Sequence, residues 1–304
     1  MNISPIALFV YNRIDLLKKV IINLKKNSLS KKSELYIFSD AAKENKFDFV
    51  NVSSVRNYIK KIKGFKKINI IERKKNLGLY ENITSGLNLI FKKKKTAIIL
   101  EDDILVSKHF LRYMNDSLKF YKNNIKVGSI CGNLPFLNKN LPNTFFLYYQ
   151  DCWGWATWKR SWKLYSHNSS FLLKKINQKK LKKKFDLDNN YEFSKYLKEN
   201  IIKKRSWATN WYASLFIKKK LNLFPGYQMC KNIGFGSMST NSKLEFESLD
   251  LSFKRIEVKK INLRESVLGY KELTKYYYKI VKKFKIKYYK FRITNKIKNI
   301  LGLK

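Results

Sequence analysis

The stretch Ala97-Ile98-Ile99-Leu100-Glu101-Asp102-Asp103 decides how this chain is read. Four apolar residues run straight into three carboxylates. The apolar run is the pattern of a strand buried in a parallel sheet, and ligands of open α/β sheets bind just beyond the carboxyl ends of such strands. Like charges packed this closely repel, and burying them unpaired is costly. Something positive must sit among them, or they must be solvated. A divalent ion carrying a phosphate is the natural candidate. Alternation along an extended strand would turn Glu101 and Asp103 to one side and Asp102 to the other.

Working outward, strand-like and helix-like segments alternate through the first 130 or so residues. Ile6–Val10, Leu35–Phe38, Ile68–Ile71 and Val127–Cys131 read as further strands. Helical spacing covers Asp15–Lys26, Phe47–Ile62, Tyr80–Phe91 and Lys108–Tyr121. This rhythm predicts an α/β fold with a parallel sheet and right-handed crossovers. After Gly132 the pattern changes. Residues 133–170 are aromatic, Lys174–Lys204 reads as basic, helical and exposed, and 221–236 as strand and loop. From about Lys271 lysine alternates with Tyr, Phe and Ile, which fits a basic amphipathic helix. Such a helix can lie on an anionic membrane surface or pack one face on a domain.

Composition narrows the chemistry. Lys and Arg total 65 against 22 Asp and Glu, a formal net charge of +43. A polyanionic partner and AT-rich coding both account for this excess. Lysine greatly outnumbers arginine, the residue suited to base edges and bidentate phosphate contacts, so no nucleic-acid partner is expected. Cys131, Cys152 and Cys230 are widely spaced, as small buried hydrophobes in a reducing compartment would be. His109 and His167 are too few for a histidine-based zinc site. Any metal is therefore held by oxygen, which points to Mn²⁺ or Mg²⁺. Neither a signal peptide nor a membrane-spanning stretch is evident, so a cytoplasmic location is expected, peripheral on the inner membrane face if the tail binds lipid.

Other positions could carry chemistry. Asp40 ends the second strand, where a carboxylate can accept from a base or ribose, or cap a helix. Arg13, after the first strand, can hold a diphosphate or be a surface loop residue. Asn76-Leu77-Gly78 precedes a helix whose N-terminus favours an anion, or is simply a turn. Trp153-Gly154-Trp155-Ala156-Thr157-Trp158 exceeds what a core segment needs. Its aromatic faces can stack on sugars or bases, or form a hydrophobic cluster. Trp207-Ala208-Thr209-Asn210-Trp211 is similar.

Together these segments, with Phe9-Val10-Tyr11-Asn12-Arg13, Ser39-Asp40, Glu72-Arg73 and Asn232-Ile233-Gly234-Phe235, resemble bacterial GT-A glycosyltransferases. These are family-2-like sugar transferases, similar to the catalytic domain of N-acetylglucosaminyltransferase I. The resemblance covers roughly residues 3–240. It implies a GT-A, Rossmann-like domain over 1–245, with a nucleotide-sugar half at 1–131 and an acceptor half at 132–245. Residues 246–304 would be a basic aromatic C-terminal extension.

It also implies a nucleotide-sugar donor, first of all a UDP-sugar, and a glycan or lipid-linked acceptor in surface polysaccharide synthesis. Asp103 would bind the ion bridging the diphosphate. Asp102 would face the ribose or sugar, and Glu101 would assist. Asp40 would contact uracil, Arg13 would sit near the nucleotide, and Asn76 and Asn82 near the donor. Trp153, Gly154, Trp155 and Trp207 would form the sugar and acceptor side, and the Asn232–Gly236 loop would close over the donor. In inverting relatives a Trp-Asp-x-x-Trp-like segment holds the general base, yet Trp207–Trp211 has no acid. Either Asp151 substitutes, or the chain is a non-catalytic binder of carbohydrate or nucleotide sugar. A metal-dependent enzyme acting on nucleic acid is the third reading.

Overall fold

The computed structural model describes residues 3–234 and 249–300, with side chains as far as 286. Strands β1 (Ile6–Val10), β2 (Glu34–Ser39), β3 (Lys67–Glu72) and β4 (Thr96–Glu101) alternate with helices α1 (Ile14–Lys25), α2 (Lys46–Ile59) and α3 (Gly78–Lys93). Each lies within a few residues of its predicted span. A short β5 (Ile104–Val106), α4 (Phe110–Phe120) and β6 (Val127–Cys131) complete the first part. Then come β7 (Thr144–Leu147), β8 (Trp155–Trp158), α5 (Lys159–Trp162), α6 (Ser169–Gln178), α7 (Lys182–Phe185), α8 (Phe193–Ile202) and α9 (Trp207–Ile217). Last are β9 (Leu221–Pro225), β10 (Cys230–Asn232) and α10 (Val267–Ile300).

Eight strands form one mixed, mostly parallel sheet in the order β3-β2-β1-β4-β8-β6-β9-β7, flanked by helices. The neighbours β3, β2, β1 and β4 are all parallel, while β8 runs antiparallel between β4 and β6. From β1 the chain crosses outward to β2 and β3, then returns to place β4 on the other side of β1. This reversal makes a switch point between the carboxyl ends of β1 and β4, where loops diverge and leave a crevice.

Both faces of the sheet are covered, and β1 shows how. Ile6, Leu8 and Val10 join a core with α1 residues Leu17, Val20 and Leu24. Ala7 and Phe9 point the other way, into a second core with Ile83 and Leu87 of α3 and Trp207 and Trp211 of α9. A run that is apolar at every position is what two covered faces require. A third core gathers Phe145, Tyr149, Phe185, Leu197, Tyr212 and Phe224.

The stretch 174–204 departs from its expected exposure. Ile176, Phe185, Leu187 and Leu197 are all buried in that third core. Isolated apolar residues among lysines supply the inner face, and the lysines lie outside. The C-terminal helix joins the same core through Leu273 and Tyr277, and Ile256 packs into the first core. Among the described residues, no helix is long and apolar enough to cross a membrane.

Candidate functional site

The acids after β4 meet the loop after β1 because the two strands are hydrogen-bonded neighbours, with Phe9 paired to Glu101. Arg13 sits between two of the carboxylates. It forms an ion pair with Asp102 and a second with Asp103 at 3.0 Å. Asp102 also accepts the backbone N–H of Tyr11 at 3.2 Å. The chain turns at 102–103 instead of continuing extended. Strand alternation therefore does not apply there, and both aspartates reach the same guanidinium. The positive group demanded by three packed acids is supplied by the protein itself. Burial, then repulsion from Asp103 and Asp102, pushes the Glu101 carboxyl up. Burial also raises Asp102, and Arg13 only partly offsets it.

Asp40 and Asn76 hold two loops together. Asp40 accepts the backbone N–H groups of Ala41, Leu77 and Gly78, each at 2.9 Å. In return Asn76 donates to the carbonyl of Ala41 at 2.6 Å. The first turn of α3 has no side-chain cap of its own, so Asp40 caps it from another loop. Gly78, at φ +70°, takes the left-handed backbone this junction needs. Asn82 accepts from Arg73 Nε at 2.9 Å, and Arg73 stacks over Phe38.

On the other side, Asp151 is 8% exposed and accepts three hydrogen bonds: from Trp153 N–H at 2.8 Å, Asn133 Nδ2 at 3.1 Å and Tyr149 Oη at 3.4 Å. Burial outweighs these donors and pushes its carboxyl up to about 6. Gly154, at φ +59°, lets the chain pass Cys230; a Cβ there would stand 2.3 Å from the Cys230 sulfur.

One cleft of about 1050 Å³ joins these groups. Arg13, Asp40, Asn76, Asn82, Glu101, Asp102, Asp103, Asp151, Trp153 and Trp207 all line it. Trp155 is not among the lining residues. It is fully buried in β8, stacked on Trp207 at 5.7 Å and close to Trp162 and Trp211. The Trp-Gly-Trp segment thus splits: Trp153 borders the cleft and Trp155 backs it as core. In the Trp207–Trp211 segment, Ala208 and Thr209 line the cleft, and Asn210 is consumed by bonds to Ser169, Asn200 and the Ser166 carbonyl. Asn232 and Gly234 also line the cleft, whereas Phe235 and Gly236 lie outside the described residues.

Sequence reading missed a tyrosine wall. Tyr149, Tyr191, Tyr196, Tyr212 and Tyr277 border the cleft, with Phe284 further along α10. Nothing local marks these tyrosines among the chain's 19.

Among the described residues, no group of three or more His, Cys, Asp or Glu side chains could hold a metal ion. A Mg²⁺-like ion does not require such a cage. It keeps several waters and binds through one or two carboxylates plus substrate phosphates. Asp103 offers one such carboxylate to the cleft, beside Arg13 and against the backbone of Gly234. A Cβ at 234 would fall 2.2 Å from Asp103 Oδ2.

No protein-family profile matches the chain, and no curated protein matches it in sequence. Among solved structures, similarity is found to the mannosyltransferase PcManGT from Pyrobaculum calidifontis in complex with GDP-Man and Mn²⁺. Identity is 18%, TM-score 0.33, and the match covers 44% of this chain and 37% of that one. Residues 1–349 of S. aureus TarS align at 13% identity and TM-score 0.39, over 73% of this chain and 57% of theirs. The chain thus spans less than two thirds of either.

Proposed function

We propose that this chain is a glycosyltransferase that moves a sugar from a nucleotide-sugar donor, first of all a UDP-sugar, to a hydroxyl of a glycan or lipid-linked acceptor. One observation carries this reading. The charged cluster of Arg13, Asp102 and Asp103 at the switch point shares a single cleft with Asp151, a buried carboxylate of raised pKa.

The roles follow from position. The loops tied by Asp40 and Asn76 would shape the base end of the donor site, with Asn82 beside them. Arg13 would attract the diphosphate, and Asp103 would hold Mn²⁺ or Mg²⁺. Bound there, the ion supplies Lewis-acid stabilisation of the departing nucleoside diphosphate. Asp102 would keep Arg13 oriented. Trp153 and Trp207 would offer aromatic faces to sugar rings. Asp151, ionised at neutral pH, would accept the proton of the acceptor hydroxyl as it attacks the anomeric carbon, inverting its configuration. The basic helix α10 would suit an acceptor carried on anionic lipid, placing the enzyme in the cytoplasm against the inner membrane face. Surface polysaccharide synthesis would be its setting.

Ala208, where inverting relatives would carry an acid, favours a second reading: a non-catalytic binder of nucleotide sugar or glycan. One experiment tests the donor site. Thermal shift of the purified protein is measured against UDP-, GDP-, CMP- and dTDP-sugars, with and without Mn²⁺. A manganese-dependent rise with one nucleotide class, lost in Asp103→Ala, is the expected result. No rise with any of them overturns the donor-site assignment. Binding without sugar transfer or donor hydrolysis would select the second reading.

A further inference from the structure

The geometry points to the C-terminal helix as part of the catalytic half: Tyr277 of α10 is a positioning residue that acts on Asp151 through Tyr149. This inference rests on the reading of Asp151 as the base.

The hydroxyl of Tyr277 lies 2.6 Å from that of Tyr149, which in turn lies 3.4 Å from Asp151 Oδ2. The direction of the protons follows from counting. A phenol has one proton to give. The carboxylate can only accept when ionised, so Tyr149 donates to Asp151. Its oxygen must then receive the proton of Tyr277. The chain therefore runs from Tyr277 to Tyr149 to Asp151, and each donation strengthens the next. All three side chains are buried: Tyr149 is 5%, Tyr277 6% and Asp151 8% exposed. The rings are held as well as the hydroxyls. Tyr277 packs edge-on against Tyr149 at 5.9 Å and against Phe193 at 5.6 Å, and it sits 4.7 Å from Tyr191.

The groups that face Asp151 are known from each element around it. Tyr149 precedes it, Tyr277 comes from α10, Cys131 from β6 and Cys230 from β10, and Cys152 follows it. Asn133 and the Trp153 amide supply its remaining hydrogen bonds. None of these is cationic. The hydrogen bonds described for the carboxylate come from neutral donors, and the hydroxyl chain links α10 to one of them. Neither Tyr149 nor Tyr277 is drawn from the region that carries the phosphate-side charges.

The test reads Asp151 directly and needs no substrate. Protein labelled with ¹³C at aspartate carboxyls is titrated by NMR, with the Asp151 resonance assigned through Asp151→Asn. Tyr149→Phe removes a donor to the carboxylate, so the midpoint should rise by about half a pH unit or more. Tyr277→Phe should move it in the same direction by less. Tyr278→Phe, on the exposed side of the same helix, should leave it in place. An unmoved midpoint in Tyr277→Phe overturns the proposal, as does an equal shift in Tyr278→Phe. If Tyr277→Phe fails to fold, an unmoved midpoint in Tyr149→Phe overturns it equally. The base assignment is tested apart from this. Asp151→Asn that still transfers sugar would remove Asp151 as the base while leaving the measured coupling intact.

Discussion

The two ends of the cleft are built by different physics. At the switch-point end, polar residues on adjacent βα loops fix one another by charge and backbone capping. Arg13 holds Asp102 and Asp103, and Asp40 holds the start of α3. At the other end, aromatic side chains from separate segments converge on one buried carboxylate, Asp151, whose described hydrogen-bond donors are all neutral. The first arrangement is partly compensated charge, one guanidinium against two carboxylates, whose surplus is suited to receiving a cation. The second is a carboxylate in apolar surroundings, suited to taking a proton. A single fold thus raises buried acids in two settings, Asp102 beside a cation that only partly offsets burial and Asp151 among neutral donors.

The largest effect that would break this contrast lies at the Asp151 end. Asp151→Asn should lower transfer by about 10²–10⁴-fold, the span of general-base catalysis, while leaving the manganese-dependent thermal shift with nucleotide sugar in place. In the unsubstituted chain the proposed transfer rate should fall as pH drops through about 6, because Asp151 then becomes protonated and cannot accept. A rate independent of pH across that range would deny Asp151 its role.

Removing the compensation at the switch point comes next. Arg13→Ala strands Asp102 and Asp103, whose side chains are 4% and 12% exposed, at a cost of about 3–5 kcal/mol in denaturant unfolding. The sign of its pH dependence is distinctive. Glu101 and Asp102 already have folded pKa values above their ordinary ones, and loss of Arg13 raises them further. The variant's deficit should be fully present at high pH and shrink as pH falls through those raised values. A deficit that grows on acidification would contradict the cluster as described.

Trp155→Ala and Trp153→Ala sharpen the comparison where the two ends meet. Trp155 is core, so its loss should cost about 3–5 kcal/mol of stability. Trp153→Ala should cost much less and instead weaken sugar binding in a titration. Equal stability losses would return both tryptophans to the core. The smallest effect is that of Asp40→Ala. Loss of a helix cap should cost about 0.5–2 kcal/mol and loosen the nucleotide end, read as faster amide exchange at Leu77 and Gly78. Unchanged exchange there would show that the loop does not depend on the cap.

The strands and helices of the first 131 residues were legible in the sequence because their signals are local. An apolar run marks a doubly covered strand, and helical spacing marks a crossover. The candidate residues at the switch-point end were legible for the same reason, since Arg13, Asp40 and the Glu101–Asp103 acids each lie at or within three residues of a strand's end. The partners of those residues were not. That Asp40 caps α3 depends on β2 lying beside β3, and that Arg13 answers the acids depends on β1 lying beside β4. The partners of Asp151 were the least legible. The Tyr149 and Tyr277 hydroxyls meet across 128 positions of chain.

The sequence by itself determined the alternation of elements, the placing of acids at strand ends and the excess of positive charge, all properties of neighbours along the chain. Only the tertiary structure decided which tryptophan faces the cleft, which arginine neutralises the acids and which tyrosines surround Asp151. These depend on strand order and on packing between distant segments, where one side chain's environment is set by residues that its own neighbourhood does not encode.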